Sequence, residues 1–324
     1  MSSPTRARST MRQRWAAESA RGIAAGFGAY GIWGLFPIYF DALRPAGPWE
    51  ILANRIVWTA LFCLIVLGIG RDWSWLPPLL RHRRLMLGVT AAALFIAVNW
   101  VVYVAAVTSG HTSEAALGYF LNPLVTVALG VVVLRERLRP LQWLAVGIGA
   151  AAGVYLSVAG GSFPLTALTL ASSFAMYGLV KKKVGAQLPA LHSLTVETLI
   201  LLPVAAAILV VLAVAGPGLD FGAHGPVHTG LLIFSGVATA VPLLLFAASA
   251  RRIPLTTVGL IQFVTPVIQL ICAVTVLGEH LSSARWIGFG IVWLALLVLS
   301  ADALLAGRSR ARTRRLRECE ELPL

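Results

Sequence analysis

The chain has 324 residues, of which 58% are hydrophobic and only 12% are charged, and its mean hydropathy is +0.83. Soluble domains carry about a quarter charged residues, so this composition excludes an ordinary water-soluble domain. Apolar runs of about 20 residues, long enough to cross a hydrocarbon core of ~30 Å, recur along the chain and predict ten membrane-spanning helices. We number them spans 1 to 10: 22–40, 51–70, 85–108, 115–134, 140–158, 164–180, 191–215, 229–249, 256–277 and 284–305.

The positions of the basic residues predict how these spans cross the membrane. The net charge is +13, and 23 of the 26 lysines and arginines lie in the two tails or in the loops after even-numbered spans. Only Arg44, Arg55 and Arg285 lie elsewhere. By the positive-inside rule we expect a multi-pass membrane protein with both termini in the cytoplasm. The basic charge then reflects topology and attraction to anionic lipid, so no nucleic-acid partner is expected.

An internal repeat divides the chain into two halves. Residues 115–157 align without a gap on 258–300, and 14 of the 43 positions are identical. The identities that carry weight in so apolar a sequence are these: Pro123/Pro266, Glu136/Glu279, Trp143/Trp286 and Gly147/Gly290. Each half holds five spans, an odd number, so the second half enters the membrane in the opposite sense. Inverted halves are common in secondary transporters, which bind substrate near the midplane between them.

The expected fold class is therefore an all-α integral membrane protein, with ten transmembrane helices arranged as two inverted five-helix repeats. The expected domains are a basic cytoplasmic tail at 1–21, a first repeat at 22–158, a second repeat at 164–305 and a second basic tail at 306–324.

Spans 1 and 2 contain the first candidate site residues. Tyr30 and Trp33 either pack between helices or line a cavity, because aromatic side chains with a polar tip do both. Arg55 lies about one helical turn inside span 2, so a structural ion pair is its expected role. Three carboxylates are candidate partners: Asp41, Glu50 and Glu114.

Spans 3 and 4 place polar and aromatic side chains well inside the membrane. Span 3 contains Asn99, Trp100 and Tyr103, and span 4 contains Tyr119 and Asn122. An amide in hydrocarbon costs free energy unless it is paired, so these groups are expected to face another helix or water. All five are candidates for the lining of a substrate cavity.

Proline recurs at corresponding places in the two halves. Pro123 in span 4 and its partner Pro266 in span 9 each remove one hydrogen bond from a helix, and Pro242 in span 8 does the same. Gln262 and Gln269 flank Pro266 and are further cavity candidates. Broken helices in corresponding positions of two halves indicate a transport site, although a shared packing kink is the alternative.

The carboxylates of the chain have competing interpretations. Glu136 and Glu279 end spans 4 and 9, where each is expected to cap the turn into the next helix or to pair with a basic neighbour. Glu197 is the one acidic residue well inside a span. It either pairs with the nearby lysines 181–183 or couples its protonation to transport, and we lean towards coupling. Tyr177 in span 6 is a cavity candidate.

The sequence resembles the RarD subfamily of the EamA-type transporters, in the drug/metabolite transporter superfamily. The motifs that carry the resemblance are the doubled EamA-type pattern of Pro, Leu-x-Glu, Trp and a Gly-rich span, Tyr30-Gly31-Ile32-Trp33-Gly34, Pro37, Tyr39-Phe40, Glu50-Ile51-Leu52, Arg55, Asn99-Trp100, Gly118-Tyr119-Phe120-x-Asn122-Pro123 and Glu197-Thr198. The EamA-type Leu-Gly-Glu is present at 277–279 but is Leu-Arg-Glu at 134–136. The resemblance implies a ten-helix permease of the bacterial plasma (inner) membrane, whose central cavity is lined mainly by spans 1, 3, 4, 6, 8 and 9.

Three classes of function are considered. The first is a permease that moves a small metabolite or a drug-like molecule by alternating access, as the name chloramphenicol-resistance permease of the RarD subfamily implies. The alternative is a lipid-carrier flippase of the same superfamily, which needs a cavity open to lipid and a cationic head-group site. An enzyme is not expected, because the sequence lacks HExxH, GxSxG and paired intramembrane aspartates, and no Walker A pattern indicates ATP hydrolysis.

No cofactor and no metal are expected, since Cys63, Cys272 and Cys319 are isolated in the sequence and no other metal-binding spacing occurs. The expected partners are a small-molecule substrate and the lipid bilayer. Spans 5 and 10 are nearly devoid of internal polar groups, which suits the periphery or a dimer interface, so a homodimer is left open.

Overall fold

The computed structural model describes residues 4–71, 73–108, 112–159 and 165–276, together with scattered positions from 278 to 305. Every regular element in this described part is a helix. We label them in chain order: α1 (Pro4–Gly34), α2 (Phe36–Ala42), α3 (Pro48–Gly70), α4 (Leu76–Arg81), α5 (Arg83–Thr108), α6 (Thr112–Val132), α7 (Pro140–Ala159), α8 (Leu165–Val184), α9 (Ala190–Ala215), α10 (Gly225–Arg252), α11 (Leu255–Gln262) and α12 (Val264–Thr275). Helical positions also occur among the described residues from 286 to 302.

These helices coincide with the apolar runs of the sequence and make the chain a multi-pass membrane protein. Within the described part of the chain, six stretches are long and apolar enough to cross a membrane: Ala17–Ala42, Pro48–Gly70, Arg83–Ala106, Ala190–Ala215, Gly225–Arg252 and Leu255–Cys272. The number of ten spans stays a prediction. The short helix α4 is an addition that the apolar pattern does not predict, since it lies in the loop between spans 2 and 3.

Proline and glycine mark the ends of several helices. Helix α3 begins at Pro48, where the missing N–H is not needed for helical hydrogen bonding, after an extended Gly47. It ends at Arg71, whose φ of 49° is left-handed. Helices α9 and α11 begin directly after Pro189 and Pro254. The helix positions therefore follow from local chemistry as well as from hydropathy.

Span 9 is interrupted close to its proline. Helix α11 ends at Gln262 and α12 begins at Val264, which are four and two residues before Pro266, a residue that cannot donate to the helix. The expectation of matching breaks in the two halves is wrong, because α6 continues through Pro123 and α10 continues through Pro242. Packing on neighbouring helices supports both helices across the missing hydrogen bond.

Span 1 also consists of two helices. Helix α1 ends at Gly34 and α2 begins at Phe36, with Leu35 as the joint. The joint lies two residues before Pro37, which occupies the first turn of α2, where proline is well tolerated. The break turns the aromatic residues of α2 towards α3, which carries Arg55.

The two halves interleave rather than fold as separate bundles. Helix α8 of the second half packs on α5 and α6 of the first, and α1 of the first half packs on α10, α11 and α12 of the second. Under the repeat these two sets of contacts exchange with each other, while the pairs α3–α9 and α6–α11 each map onto themselves. This is the pattern of two halves related by a pseudo-twofold axis. Helix α7 packs chiefly on α6 and therefore lies at the periphery.

The basic loops all lie on one face of the molecule, which we call the basic face. Three ion pairs join its segments: Arg252 with Glu18 at 2.9 Å, Lys182 with Glu136 at 3.9 Å, and Arg139 with Asp302 at 2.6 Å. On the opposite face, the Glu50 carboxylate accepts hydrogen bonds from the backbone of the α9–α10 loop. The charge asymmetry of the sequence thus corresponds to a structural asymmetry. The side of the cell that each face meets stays a prediction.

Candidate substrate cavity

Arg55 is a half-buried residue at the centre of a side-chain cluster between the halves, towards the opposite face, which we call the candidate cavity. Its Nε atom donates to Oγ1 of Thr239 on α10 at 2.9 Å. Its guanidinium carbon lies 5.6 Å and 5.5 Å from the ring centres of Phe36 and Phe40, and 5.1 Å from that of Trp100. These distances are within the range of cation–π attraction. Helices α2, α3, α5 and α10 therefore hold one guanidinium group together.

The structure differs from the expectation that Arg55 pairs with a nearby carboxylate, because the two described candidates bind elsewhere. Asp41 pairs with Arg44 at 3.2 Å, and Glu50 binds backbone N–H groups. The side chain of Glu114 lies outside the described residues. Among the side chains that are described, no carboxylate comes within ion-pair distance of Arg55. Aromatic faces and one hydroxyl take the place of the counter-charge, a combination that local sequence does not reveal.

Three tyrosines complete the surroundings of Arg55. Tyr39, Tyr103 and Tyr119 are close enough to interact electrostatically with the guanidinium group. The rings of Tyr103 and Tyr119 meet edge to face at 6.1 Å, and the Tyr39 hydroxyl donates to the backbone carbonyl of Leu231 at 2.7 Å. All three side chains are half-buried. Trp100, Tyr103 and Tyr119 are thus three predicted cavity residues that the structure brings together.

The sequence interpretation missed Phe36, Phe40 and Thr239 as neighbours of this arginine. Phe36 and Phe40 are one helical turn apart, a spacing that puts both rings on one side of α2. That spacing could have indicated from the sequence that the two rings act together. No sequence signal links Thr239 to Arg55, because the two lie 184 residues apart in the chain.

A cluster of aromatic side chains closes the cavity towards the basic face, and we call it the aromatic floor. It consists of Tyr30, Trp33, Phe174, Tyr177 and Phe246. Trp33 lies 5.5 Å from both Tyr30 and Phe174, and the rings of Tyr177 and Phe246 stack at 5.7 Å. Tyr30, Tyr177 and Phe246 are at most 1% exposed. Three helices meet in it: α1 of the first half, and α8 and α10 of the second.

Beneath the aromatic floor lies a buried ion pair between Lys181 and Glu197. Nζ of Lys181 is 2.7 Å from Oε1 of Glu197, and each side chain is only 2% exposed. Ser193 and Tyr177 both donate hydrogen bonds to the same carboxylate. The sequence left open whether a lysine reaches Glu197, and the structure shows that one does. This contact favours the anchoring role of Glu197 over the coupling role towards which the sequence led us.

Two further predicted residues join helices rather than line the cavity around Arg55. The Asn99 amide donates to the carbonyl of Leu170 at 2.9 Å and to the hydroxyl of Ser173 at 3.2 Å, so it links α5 to α8. The Gln269 amide lies 3.5 Å from the backbone carbonyl of Trp33 and links α12 to α1. Both contacts cross between the two halves, so they stabilise the interface in which the cavity lies.

Gln262 and Asn122 belong to the α6–α11 interface. The Thr126 hydroxyl donates to Oε1 of Gln262 at 3.4 Å. Oδ1 of Asn122 is buried and accepts no hydrogen bond from any described residue. The polar candidates therefore occupy several helix interfaces, and only Tyr103 and Tyr119 of them lie beside Arg55.

Glu136 fixes the start of α11. Its two carboxylate oxygens accept hydrogen bonds from the backbone N–H groups of Leu255 and Thr256, both at 2.8 Å. Of the two roles expected for Glu136, the cap is on a helix of the other half rather than on the next helix, and the alternative, a basic partner, is represented by Lys182 at 3.9 Å. The N-terminus of a helix attracts negative charge, which explains why a carboxylate binds there. The repeat partner Glu279 lies outside the described residues.

The described residues contain no cluster of three His, Cys, Asp or Glu side chains that could hold a metal ion. Cys63 and Cys272 are buried free thiols, and Cys319 lies outside the described part of the chain.

Comparison with known proteins identifies the family. The model of the EamA-like transporter family matches residues 20–159 and again residues 162–301. The chain belongs to the EamA-like transporter family. Two copies of the EamA unit thus account for nearly all of the membrane-embedded chain, and they coincide with the two halves that interleave in the structure.

Relatives of this EamA-like chain place it in the RarD subfamily. It is 46% identical to Protein RarD of Streptomyces exfoliatus, over 91% of this chain and 93% of the relative. It is 38% identical to Protein RarD of Escherichia coli (strain K12), over 92% and 99% of the two chains. It is 28% identical to the chloramphenicol-sensitive protein RarD of Pseudomonas aeruginosa, over 91% and 98%.

A solved crystal structure shares the fold of this EamA-like chain. It superposes with a TM-score of 0.67 at 19% sequence identity, covering 89% of this chain and 98% of the other. At that identity the similarity concerns the fold alone.

Proposed function

We propose that this chain is a secondary permease that moves a small organic molecule across the plasma membrane by alternating access. The observation that carries the proposal is the side-chain cluster around Arg55, because helices of both halves contribute to it. In transporters built from inverted halves, the substrate site lies at the interface of the halves, where rocking exposes it to each side in turn. The relatives in the RarD subfamily support the same class of function.

The described conformation fits one state of such a cycle. The side chains around Arg55 are mostly half-buried, whereas three of the five residues of the aromatic floor are almost completely buried. The Lys181–Glu197 pair and the Glu136 cap lie on the same side as the floor. The candidate cavity is therefore more exposed than the aromatic floor beneath it, and we propose that it opens to the opposite face in this state. Transport requires the floor to open.

The proposed cargo is a metabolite or a drug-like molecule of the size that one such cavity accommodates. The name of the Pseudomonas relative makes chloramphenicol a compound to include in any substrate panel. The lipid-carrier flippase gains no support from the relatives or from the described residues. A membrane-embedded enzyme gains none either, since the relatives are named as RarD proteins and transporters.

Flux measurements in proteoliposomes test the proposal. Purified full-length protein would be reconstituted, and the entry of a radiolabelled panel that includes chloramphenicol would be compared with entry into protein-free vesicles. We expect protein-dependent flux of at least one compound, and we expect Trp33→Ala in the aromatic floor to change its rate. Trp143→Ala is the matched control, because Trp143 is 54% exposed on the peripheral helix α7. Monodisperse protein that moves no compound would refute the proposal.

A further inference from the structure

We infer that Arg55 binds a carboxylate group of the transported molecule, so that the cargo is an organic anion with a planar, apolar body. The inference rests on the proposed permease function and names its substrate class. It begins from a cation that lies inside the membrane-embedded part of the protein. Arg55 is seven residues from the first residue of α3, which places its Cα about 10 Å along that helix.

The side chain of Arg55 does not reach back to the membrane surface. It points between helices α2, α5 and α10, where three aromatic rings and the Thr239 hydroxyl surround the guanidinium group. A charge in such surroundings is expensive unless an opposite charge accompanies it. Aromatic faces attract a cation but supply no net negative charge. Among the described side chains no carboxylate pairs with Arg55, and the inference assigns the counter-charge to a ligand.

The geometry of the guanidinium group indicates which anion it receives. Its Nε–H is used by Thr239, and no described residue accepts a hydrogen bond from the two terminal amino groups. Those two groups form the fork that binds a carboxylate through two parallel hydrogen bonds. Three rings lie within 5.6 Å of the guanidinium carbon and Thr239 binds Nε, so these contacts restrict the position of the fork before a ligand arrives. Preorganisation of this kind lowers the entropic cost of binding.

The charge of the site fits a single negative charge. Among the described residues, the groups that interact electrostatically with Arg55 are the tyrosines 39, 103 and 119, and no second lysine or arginine accompanies them. Arg44 is exposed and paired with Asp41, and Lys181 is neutralised by Glu197 below the aromatic floor. A phosphate dianion would meet one cation only. The single negative charge of a carboxylate is matched by the single positive charge of Arg55.

The tyrosines describe the rest of the ligand. Tyr103 and Tyr119 pack edge to face beside Arg55, and both carry a hydroxyl that can donate or accept. Pockets of this composition bind planar apolar groups and orient them through a few polar atoms. The inferred cargo therefore combines a carboxylate with an aromatic or similarly flat body.

Matched acids and amides test the inference with the complete protein in lipid nanodiscs. The probes are 3-phenylpropanoate with 3-phenylpropanamide, and indole-3-acetate with indole-3-acetamide. Binding would be measured by calorimetry and by the rise of the melting temperature that a ligand produces. We expect each acid to bind at least roughly 30-fold more tightly than its amide, since one partner of a buried, charged hydrogen-bonded pair is then missing. Phenyl phosphate should bind no better than the acids.

Variants of Arg55 connect the preference to this residue. Arg55→Gln should abolish the difference between acid and amide, and Arg55→Lys should keep a weaker preference, because it retains the charge and loses the fork. Arg44→Gln is the matched control, since it removes an exposed arginine from the same side of the molecule and should leave the preference intact. If Arg55→Gln does not purify as a folded protein, the acid–amide comparison on the natural sequence still decides.

The outcomes separate this inference from the proposed function. Amides that bind as tightly as acids, a preference that survives in Arg55→Gln, or no binding by any acid overturn the inference. Flux of the same compounds in proteoliposomes is a separate readout. Protein that binds acids but transports nothing refutes the proposed permease function. Protein that transports the amides but not the acids supports the permease function and refutes the inference of an anionic substrate.

Discussion

Nζ of Lys181 lies 2.7 Å from Oε1 of Glu197, and both side chains are almost fully withdrawn from solvent. Lys181 lies in the last turn of α8 and Glu197 lies in the second turn of α9, so the pair joins two consecutive helices beneath the aromatic floor. Tyr177 of the floor donates its hydroxyl hydrogen to the same carboxylate. The ion pair therefore supports the floor directly, which gives Glu197 a structural reason to be in the membrane.

Replacing Glu197 by Gln should destabilise the protein without changing how a pH gradient affects transport. Removing one partner of a buried ion pair leaves the other charge uncompensated, at a cost of about 3–5 kcal/mol. The melting temperature in nanodiscs should fall, and the double variant Glu197→Gln/Lys181→Met should recover much of the loss, since no buried charge remains. If the single variant kept its melting temperature and lost its response to a pH gradient, Glu197 would be a coupling group.

Replacing Glu136 by Ala should loosen the start of α11. Its carboxylate satisfies two backbone N–H groups, and losing a cap of this kind typically costs about 1–2 kcal/mol. Hydrogen exchange at the first turn of α11 should become faster, while Glu136→Gln, which keeps one acceptor oxygen, should lie between the two. Glu18→Ala is the control, because it removes a carboxylate from an exposed ion pair on the same face. Unchanged exchange in Glu136→Ala would contradict the assignment of the cap.

Replacing Gly236 by Ala should damage the contact between α3 and α10. A Cβ atom at position 236 would overlap the backbone of Trp58, so one of the helices must shift. Overpacking of this kind costs about 1–3 kcal/mol, more when backbone must move. Gly230→Ala is a control on the same helix, because a Cβ there meets nothing within 4 Å and alanine favours helix. The melting temperatures of the two variants should move in opposite directions.

Cysteine labelling of intact cells tests the orientation of the protein. A cysteine at position 224, in the loop after α9, should react with a membrane-impermeant maleimide. A cysteine at position 82, in the loop after α4, should react only after the cells are permeabilised, because the basic face is expected in the cytoplasm. Cys319 would be replaced by Ser beforehand. The reverse pattern of labelling would invert the topology and with it the side from which the cavity is accessible.

The positions of the helices could be predicted from sequence because the hydrocarbon thickness requires long apolar runs, and proline and glycine mark several of their ends. The hydrogen-bond partners of the polar residues could not be predicted from the sequence. Arg55 and Thr239 are 184 residues apart, and Glu136 reaches residues 119 and 120 positions later. Such contacts depend on how the halves interleave. The sequence indicated that the halves are inverted without indicating which helices meet.

The same long-range contacts affect how the protein is made. At about 5–20 residues per second, the ribosome needs on the order of 6–24 s after adding Glu136 to supply the N–H groups that its carboxylate binds. The amide of Asn99 likewise has no acceptor until the residues 71 and 74 positions downstream have been synthesised. During that interval the first five spans leave the translocon with polar groups that have no final partner. Their membrane integration therefore precedes their packing, and the nascent first half depends on water, lipid head groups or the insertion machinery until the second half arrives.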